Sequence, residues 1–115
     1  MSWKQSQIWR DPVVLWQKTL VHSPNSMIAH NNFGKVLLQR GDPEKALAQF
    51  QTADRLAPSY PKVHNNLGAA LTALRRYDEA AAEFRKAIEL QPNYADARAN
   101  LERIEKIPRE SRKDR

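Results

Sequence analysis

The sequence contains no cysteine, which excludes disulfide bonds, thiolate catalysis and cysteine zinc sites. Only three of its 115 residues are glycine, and neither phosphate-loop motif, G-x-x-x-x-G-K-S/T or G-x-G-x-x-G, occurs. There is no G-x-S-x-G nucleophile motif and no H-x-x-x-H pair of metal ligands. We therefore expect a non-enzymatic chain that has no metal, no cofactor and no small-molecule substrate.

Long apolar runs are also missing, and none approaches the ~20 residues that a transmembrane helix needs. The N-terminal residues MSWKQSQIWRDP lack the apolar core of a secretory leader. We expect a soluble chain without membrane insertion of its own, cytoplasmic if the sequence is complete. The lack of cysteine fits a reducing or an oxidising compartment equally well, so the localisation stays open.

The formal net charge is +6, and such an excess suits an acidic partner, a nucleic acid or an anionic membrane surface. Between Arg103 and Arg115 there are six basic and three acidic residues, so half of the excess (6 − 3 = 3) lies in this terminal part. No aromatic residue is interleaved with these charges, so stacking on bases is not encoded. The pattern therefore argues against nucleic-acid binding.

A repeat of 34 residues organises the chain. Residues 26–59 align without gaps with residues 60–93, and eleven of the 34 pairs are identical. A fixed period of this length is typical of a stacked-repeat protein. The identical pairs include Gly34/Gly68, Ala46/Ala80, Phe50/Phe84, Ala53/Ala87 and Pro58/Pro92.

Each repeat is predicted to fold as two helices. Apolar residues recur at helical spacing in both halves, and Gly41-Asp42-Pro43 between them suits a helix end followed by an N-cap and a first-turn proline. In the second repeat, Arg75 replaces the turn glycine. Residues that favour N-caps precede three helices at 34-residue intervals: Asn25, Ser59 and Asn93.

The glycines at the repeated position indicate close helix packing. A glycine inside a helix costs about 1 kcal/mol relative to alanine, so its use at both Gly34 and Gly68 suggests that a larger side chain would clash. We expect Gly34 to face Ala46 and Ala53, and Gly68 to face the equivalent pair in the second repeat.

This set of small and aromatic residues resembles the tetratricopeptide repeat family. The resemblance implies an all-α, right-handed superhelical solenoid of antiparallel helix pairs that serves as a protein-binding scaffold. Its parts would be an N-terminal extension (1–10), a half repeat (11–25), two full repeats (26–59 and 60–93), a capping helix (94–107) and a basic tail (108–115). The sequence departs from the family where His30 and His64 replace a tryptophan, and where Leu37 and Leu71 replace a tyrosine.

The repeated histidines allow two interpretations, metal binding and packing at an inter-helix joint. Their 34-residue separation follows the repeat, which favours packing. At the N-terminal end, Trp3 and Trp9 are expected to fold back over the open half repeat. The open face could also bind a second copy of the chain, so self-association is an alternative function.

The N-terminal third also resembles the junction in bacterial membrane proteins where a multi-span, glycosyltransferase-like region passes into a C-terminal repeat tail. This likeness rests on the spacing of Trp3, Gln5, Trp9, Arg10, Leu15 and Trp16. It implies that the chain is a soluble tail cut from a longer membrane protein, which is a further alternative to a free module.

The family resemblance implies a concave groove lined by the first helices, which would bind a peptide or a protein surface. The candidate partner-binding residues are Asn31, Lys35, Leu38, Lys62, Asn65, Ala69, Thr72, Asn100 and Arg103. A side-chain amide both donates and accepts, so Asn31 and Asn65 could hold a peptide backbone, or they could simply bond adjacent helices. Some members of the family grip a C-terminal carboxylate with a clamp of basic and asparagine residues. Ala69 lies where one clamp asparagine would be expected, which puts that activity in doubt.

Overall fold

The computed structural model describes residues 11–112. Over this range there are six α-helices and no strand: α1 (Pro12–His22), α2 (Met27–Gln39), α3 (Pro43–Leu56), α4 (Pro61–Ala73), α5 (Tyr77–Leu90) and α6 (Ala95–Glu105). A short 3-10 helix, Arg109–Arg112, follows α6. Each α-helix packs mainly on its neighbours in the chain, as stacked repeats do. The predicted all-α solenoid is therefore confirmed, with the pairs α2–α3 and α4–α5 as its two full hairpins.

Three helix starts, those of α2, α4 and α6, differ from the prediction by one residue. The N-caps of α2, α4 and α6 are Ser26, Tyr60 and Tyr94, each one position after the residue predicted to cap. Of these three, only Ser26 bonds through its side chain, accepting from the Ala29 amide at 3.1 Å. At α4 the reason is Pro61, which is favoured at the first helical position and so makes the preceding residue the cap.

The turn inside each hairpin needs a residue with positive φ. Gly41 has φ +82°, as its position predicts, and Asp42 then caps α3 by accepting from the Lys45 amide. Arg75 occupies the same place in the second repeat with φ +62°. A left-handed conformation costs a residue with a Cβ about 1–2 kcal/mol. The second repeat therefore keeps the turn geometry although it lacks the residue best suited to it.

The centre of each hairpin is a phenylalanine packed on a glycine. Phe50 and Phe84 are 0 % and 1 % exposed. A Cβ built on Gly34 would lie 2.5 Å from Phe50 Cε1, and one on Gly68 would lie closer still to the Phe84 ring. The group nearest to each glycine is thus the aromatic ring and not one of the alanines expected there. Four alanines of the two repeats are fully buried as well: Ala46, Ala53, Ala80 and Ala87.

Successive repeats are joined at the proline that ends each one. His30 Nε2 lies 2.7 Å from the Pro24 carbonyl oxygen, and His64 Nε2 lies 2.8 Å from that of Pro58. Arg98 takes the third position and donates through Nε to the Pro92 carbonyl at 2.6 Å. These bonds satisfy carbonyls at the ends of helices, where no intrahelical partner is available. The repeated histidines thus lie at joints between repeats, as the packing interpretation holds.

The two ends of the stack differ in exposure. No residue of α1 is fully buried, and its Leu15 and Val21 are 48 % and 77 % exposed. At the other end, α6 buries Ala97 and Ile104 against the preceding hairpin. The predicted positions of Trp3 and Trp9, and the last three residues of the basic tail, lie outside the described residues. Within the described range, none of the helices is both long and apolar enough to span a membrane.

Gly68→Ala tests the close approach of α4 and α5. Without a clash, this substitution would stabilise the helix by about 1 kcal/mol because alanine has the higher helix propensity. Because the new Cβ would overlap the Phe84 ring, we expect the free energy of unfolding in urea to fall by about 1–3 kcal/mol instead. In the double variant with Phe84→Leu, the loss of unfolding free energy should be smaller than the sum of the losses in the two single variants. A stabilising Gly68→Ala would contradict this packing.

Candidate functional site

The predicted groove residues lie on the first helices of the hairpins, α2 and α4, and on α6. Their exposure divides them into three groups. Lys35, Lys62 and Arg103 are exposed; Leu38, Asn65, Ala69, Thr72 and Asn100 are half-buried; and Asn31 is buried. The basic side chains are therefore the most accessible members of the set.

Four of these residues surround one cavity of about 260 Å³ between α4 and α6. They are Ala69, Thr72, Asn100 and Arg103. Lys35, Leu38 and Lys62 do not line this cavity. Its apolar side is formed by Phe84, Ile104 and Ile107, which the sequence analysis did not place in the groove. Ile104 and Ile107 are visible in the sequence as an apolar stripe, but a capping helix explains such a stripe equally well.

A chain of side-chain hydrogen bonds runs along one edge of the cavity. Arg103 Nη2 donates to Asn100 Oδ1, and Asn100 Nδ2 donates to Asn65 Oδ1 at 3.0 Å. Each amide is thereby fixed in orientation by its neighbour, and Arg103 is tied to a half-buried partner. The guanidinium of Arg103 therefore lies beside an apolar cavity. The Asn100 amide to which it is bonded has little rotational freedom left.

The same bond recurs between α2 and α4. Asn66 Nδ2 donates to Asn31 Oδ1 at 2.8 Å, and Asn31 is only 7 % exposed. Of the two interpretations of Asn31, the bonding of adjacent helices fits this geometry. Thr72 is likewise engaged, since its hydroxyl donates to the Gly68 carbonyl at 2.8 Å. Because their side chains already bond within the protein, these residues shape the site and leave few hydrogen-bonding groups free for a ligand.

The exposed charged residues on α2, α4 and α6 are of both signs, four basic and three acidic. The predicted groove set contains three of the basic ones, Lys35, Lys62 and Arg103, and none of the acidic ones. The acidic residues all lie on α6: Asp96, Glu102 and Glu105. In residues 11–112, no group of three or more histidine, aspartate or glutamate side chains is arranged to hold a metal ion. The predicted groove set is therefore basic, and its Arg103 lies at the apolar cavity. A basic set of this kind attracts anionic ligands.

Tyr94 lies next to this hydrogen-bond chain. Burial raises the pKa of its hydroxyl above the usual value of 10.0, and the negative charge of Asp96 raises it further. A hydrogen bond with the Asn65 side chain lowers the pKa and so opposes both effects. The net direction is upward, so the folded protein holds this proton more tightly than the unfolded chain does.

A family model described as Tetratricopeptide repeat matches residues 31–95, which is more than half of the chain. No curated protein matches the sequence significantly.

Solved structures with the same fold include three repeat domains. The second such domain of human RPAP3, solved with the HSP70 peptide SGPTIEEVD, superposes with a TM-score of 0.78 at 23 % identity, covering 82 % of this chain and 78 % of that one. The Sgt2 domain from Aspergillus fumigatus superposes with a TM-score of 0.77 at 25 % identity, covering 81 % of this chain and 63 % of that one. For the Arabidopsis OM64 domain the TM-score is 0.82 at 23 % identity, and the superposition covers 91 % of this chain and 87 % of that one. At these identities the likeness establishes the fold.

The raised pKa of Tyr94 predicts a pH-dependent stability. Because the folded-state pKa lies above the unfolded value of 10.0, the contribution is fully present below that pH. It is lost as the pH rises through the folded-state pKa. We expect the free energy of unfolding, measured in urea across the alkaline range, to fall less steeply for Tyr94→Phe than for the wild type. Parallel curves for the two proteins would show that Tyr94 makes no such contribution.

Proposed function

Because the chain belongs to the tetratricopeptide repeat family, we propose that it is a protein-interaction module that binds a peptide in the groove formed by α2, α4 and α6. The observation that carries the proposal is the cavity between α4 and α6, which has an apolar floor and the guanidinium of Arg103 at its edge. A cavity of about 260 Å³ has the size of a site for one large apolar side chain.

The charge of the groove selects the kind of peptide. The predicted groove set contains Lys35, Lys62 and Arg103 and no acidic residue, which favours an acidic sequence. We therefore propose a peptide that combines an apolar side chain, seated beside Ile104 and Ile107, with a carboxylate near Arg103. Two full repeats give a small site, for which micromolar affinity, about −8 kcal/mol, is a reasonable expectation.

The solved structures of the same fold support peptide binding only in general terms. The RPAP3 domain holds an HSP70 peptide whose sequence contains two adjacent glutamates and a final aspartate. At 23 % identity this shows a fold that can hold a peptide, so the argument for an acidic ligand rests on the charges of this chain.

Two other functions remain predictions from the sequence. The exposed Leu15 and Val21 on α1 keep self-association open, since apolar side chains on one exposed helix favour a contact. The likeness to the repeat tail of a membrane protein depends largely on residues that precede Asp11 and lie outside the described range.

Fluorescence anisotropy with a labelled acidic peptide, GLEALEG, tests the proposed groove. We expect Arg103→Gln to weaken binding about tenfold, because the variant loses the guanidinium that faces the carboxylate. Asn65→Ala should also weaken binding, since it removes the acceptor that orients Asn100. The matched control is Arg85→Gln, which removes an exposed arginine on α5 and should leave the affinity unchanged. Equal binding by the wild type and both groove variants would refute the proposal.

A further inference from the structure

A second concave surface lies between the second helices of the two hairpins, α3 and α5. One cavity of about 420 Å³ has a floor of Leu47, Leu67 and Leu71. A neighbouring cavity of about 380 Å³ is bounded by His64, Glu89 and Leu90. Asp54 lines both, so together they form one depression, which we call the α3–α5 valley. The residues that line the valley are distinct from those of the groove cavity.

Asp54 carries an acceptor that lacks a hydrogen bond. Its Oδ1 atom is buried and has no hydrogen-bond partner among the described residues. His64 Nε2 lies 3.4 Å away, but it is closer to the Pro58 carbonyl oxygen, at 2.8 Å. Because Nε2 carries at most one proton, the bond to Pro58 leaves Asp54 Oδ1 unsatisfied. A buried carboxylate oxygen in this state is destabilising. Because Oδ1 has almost no accessible surface, a partner would meet the remaining part of the Asp54 carboxylate, whose side chain is 35 % exposed.

The other charges around the valley are partly neutralised within the protein. Glu79 pairs with Arg76 at 2.7 Å. Glu83 lies 3.5 Å from Lys86 and 3.4 Å from His64 Nδ1. Asp54, 35 % exposed at the side chain, approaches only His64 among the recorded ion pairs of the described range. Glu89 also lines the valley, and no ion pair of the described range includes it. Asp54 and Glu89 are therefore the places in the valley where an added cation would gain most.

The sign of the charge sets this surface apart from the groove. Helix α5 carries four acidic residues, Asp78, Glu79, Glu83 and Glu89, and two basic ones, Arg85 and Lys86, within a chain whose net charge is +6. The groove set is basic, as described above. Two surfaces of opposite sign would select partners of opposite charge, because like charges brought together are repelled.

We propose that the α3–α5 valley is a second docking surface, which takes a partner segment carrying a lysine or arginine beside an apolar side chain. The cation pairs with the exposed part of the Asp54 carboxylate, and the apolar side chain covers Leu47 and Leu71. The chain then holds two partners at once, an acidic peptide in the groove and a basic segment in the valley. This surface is independent of the proposed groove, so either can fail without the other.

Binding of a labelled basic peptide, GLKALRG, measured by anisotropy, tests the valley. We expect Asp54→Asn to weaken binding about tenfold and higher salt to weaken binding to the wild type. The matched control, Asp96→Asn, removes an exposed carboxylate from the groove side and should leave the affinity for the basic peptide unchanged. Equal affinity of Asp54→Asn and the wild type, or no measurable binding to the wild type, would overturn the proposal.

A mapping experiment on the wild type keeps the test independent of how the variants fold. The basic peptide should shift the amide resonances of Gln51, Asp54 and Ala82, which line the valley. The acidic peptide should shift those of Thr72 and Asn100, which line the groove cavity. If the basic peptide shifted the amide resonances of Thr72 and Asn100 instead, the proposed binding in the valley would be wrong. A concentration-dependent dimer that Asp54→Lys abolishes would assign the surface to a second copy of the chain, which also overturns the proposal.

Discussion

The contact between a glycine and a phenylalanine sets the distance between the two helices of each repeat, and the other surfaces depend on that distance. With no Cβ on Gly34 or Gly68, the aromatic ring of the second helix lies directly against the backbone of the first. The rings become fully buried, and burial of a phenylalanine contributes about 1.5–3 kcal/mol. Because both repeats use the same contact, they form equivalent hairpins, and equivalent hairpins can stack with a constant geometry.

Stacking then creates the two candidate binding surfaces. The joints between His30, His64 or Arg98 and the preceding proline carbonyl hold one hairpin on the next. The bonds from Asn66 to Asn31 and from Asn100 to Asn65 hold the first helices side by side. The groove follows from the alignment of first helices, and the valley from the gap between second helices. His64 Nε2 bonds to the Pro58 carbonyl in a joint between repeats, and it therefore does not donate to Asp54 Oδ1 in the valley. The joint and the valley are linked through this one side chain.

The sequence predicts the repeat, the hairpins and the buried aromatic residues, because a 34-residue period constrains every copy at once. It does not predict which atoms meet across the hairpin: the atoms nearest to a Cβ on Gly68 belong to the Phe84 ring and not to the alanines expected there. The predicted caps of α2, α4 and α6 lie one residue too early, since stretches such as Ser59-Tyr60-Pro61 contain several residues that could precede a helix. Among the groove residues, pattern alone could not separate a ligand-binding asparagine from one that bonds neighbouring helices. The unsatisfied buried oxygen of Asp54 depends on distances between three segments, which no sequence motif records.

The central claim is that both glycines lie against the rings of their own hairpins, and a nuclear Overhauser experiment on the protein in solution tests it most directly. The account predicts cross-peaks from the Gly34 α-protons to the Phe50 ring and from the Gly68 α-protons to the Phe84 ring. Both pairs of α-protons should also have chemical shifts displaced by the ring current. Absence of these cross-peaks in either repeat, in a sample whose helices are formed, would contradict the account.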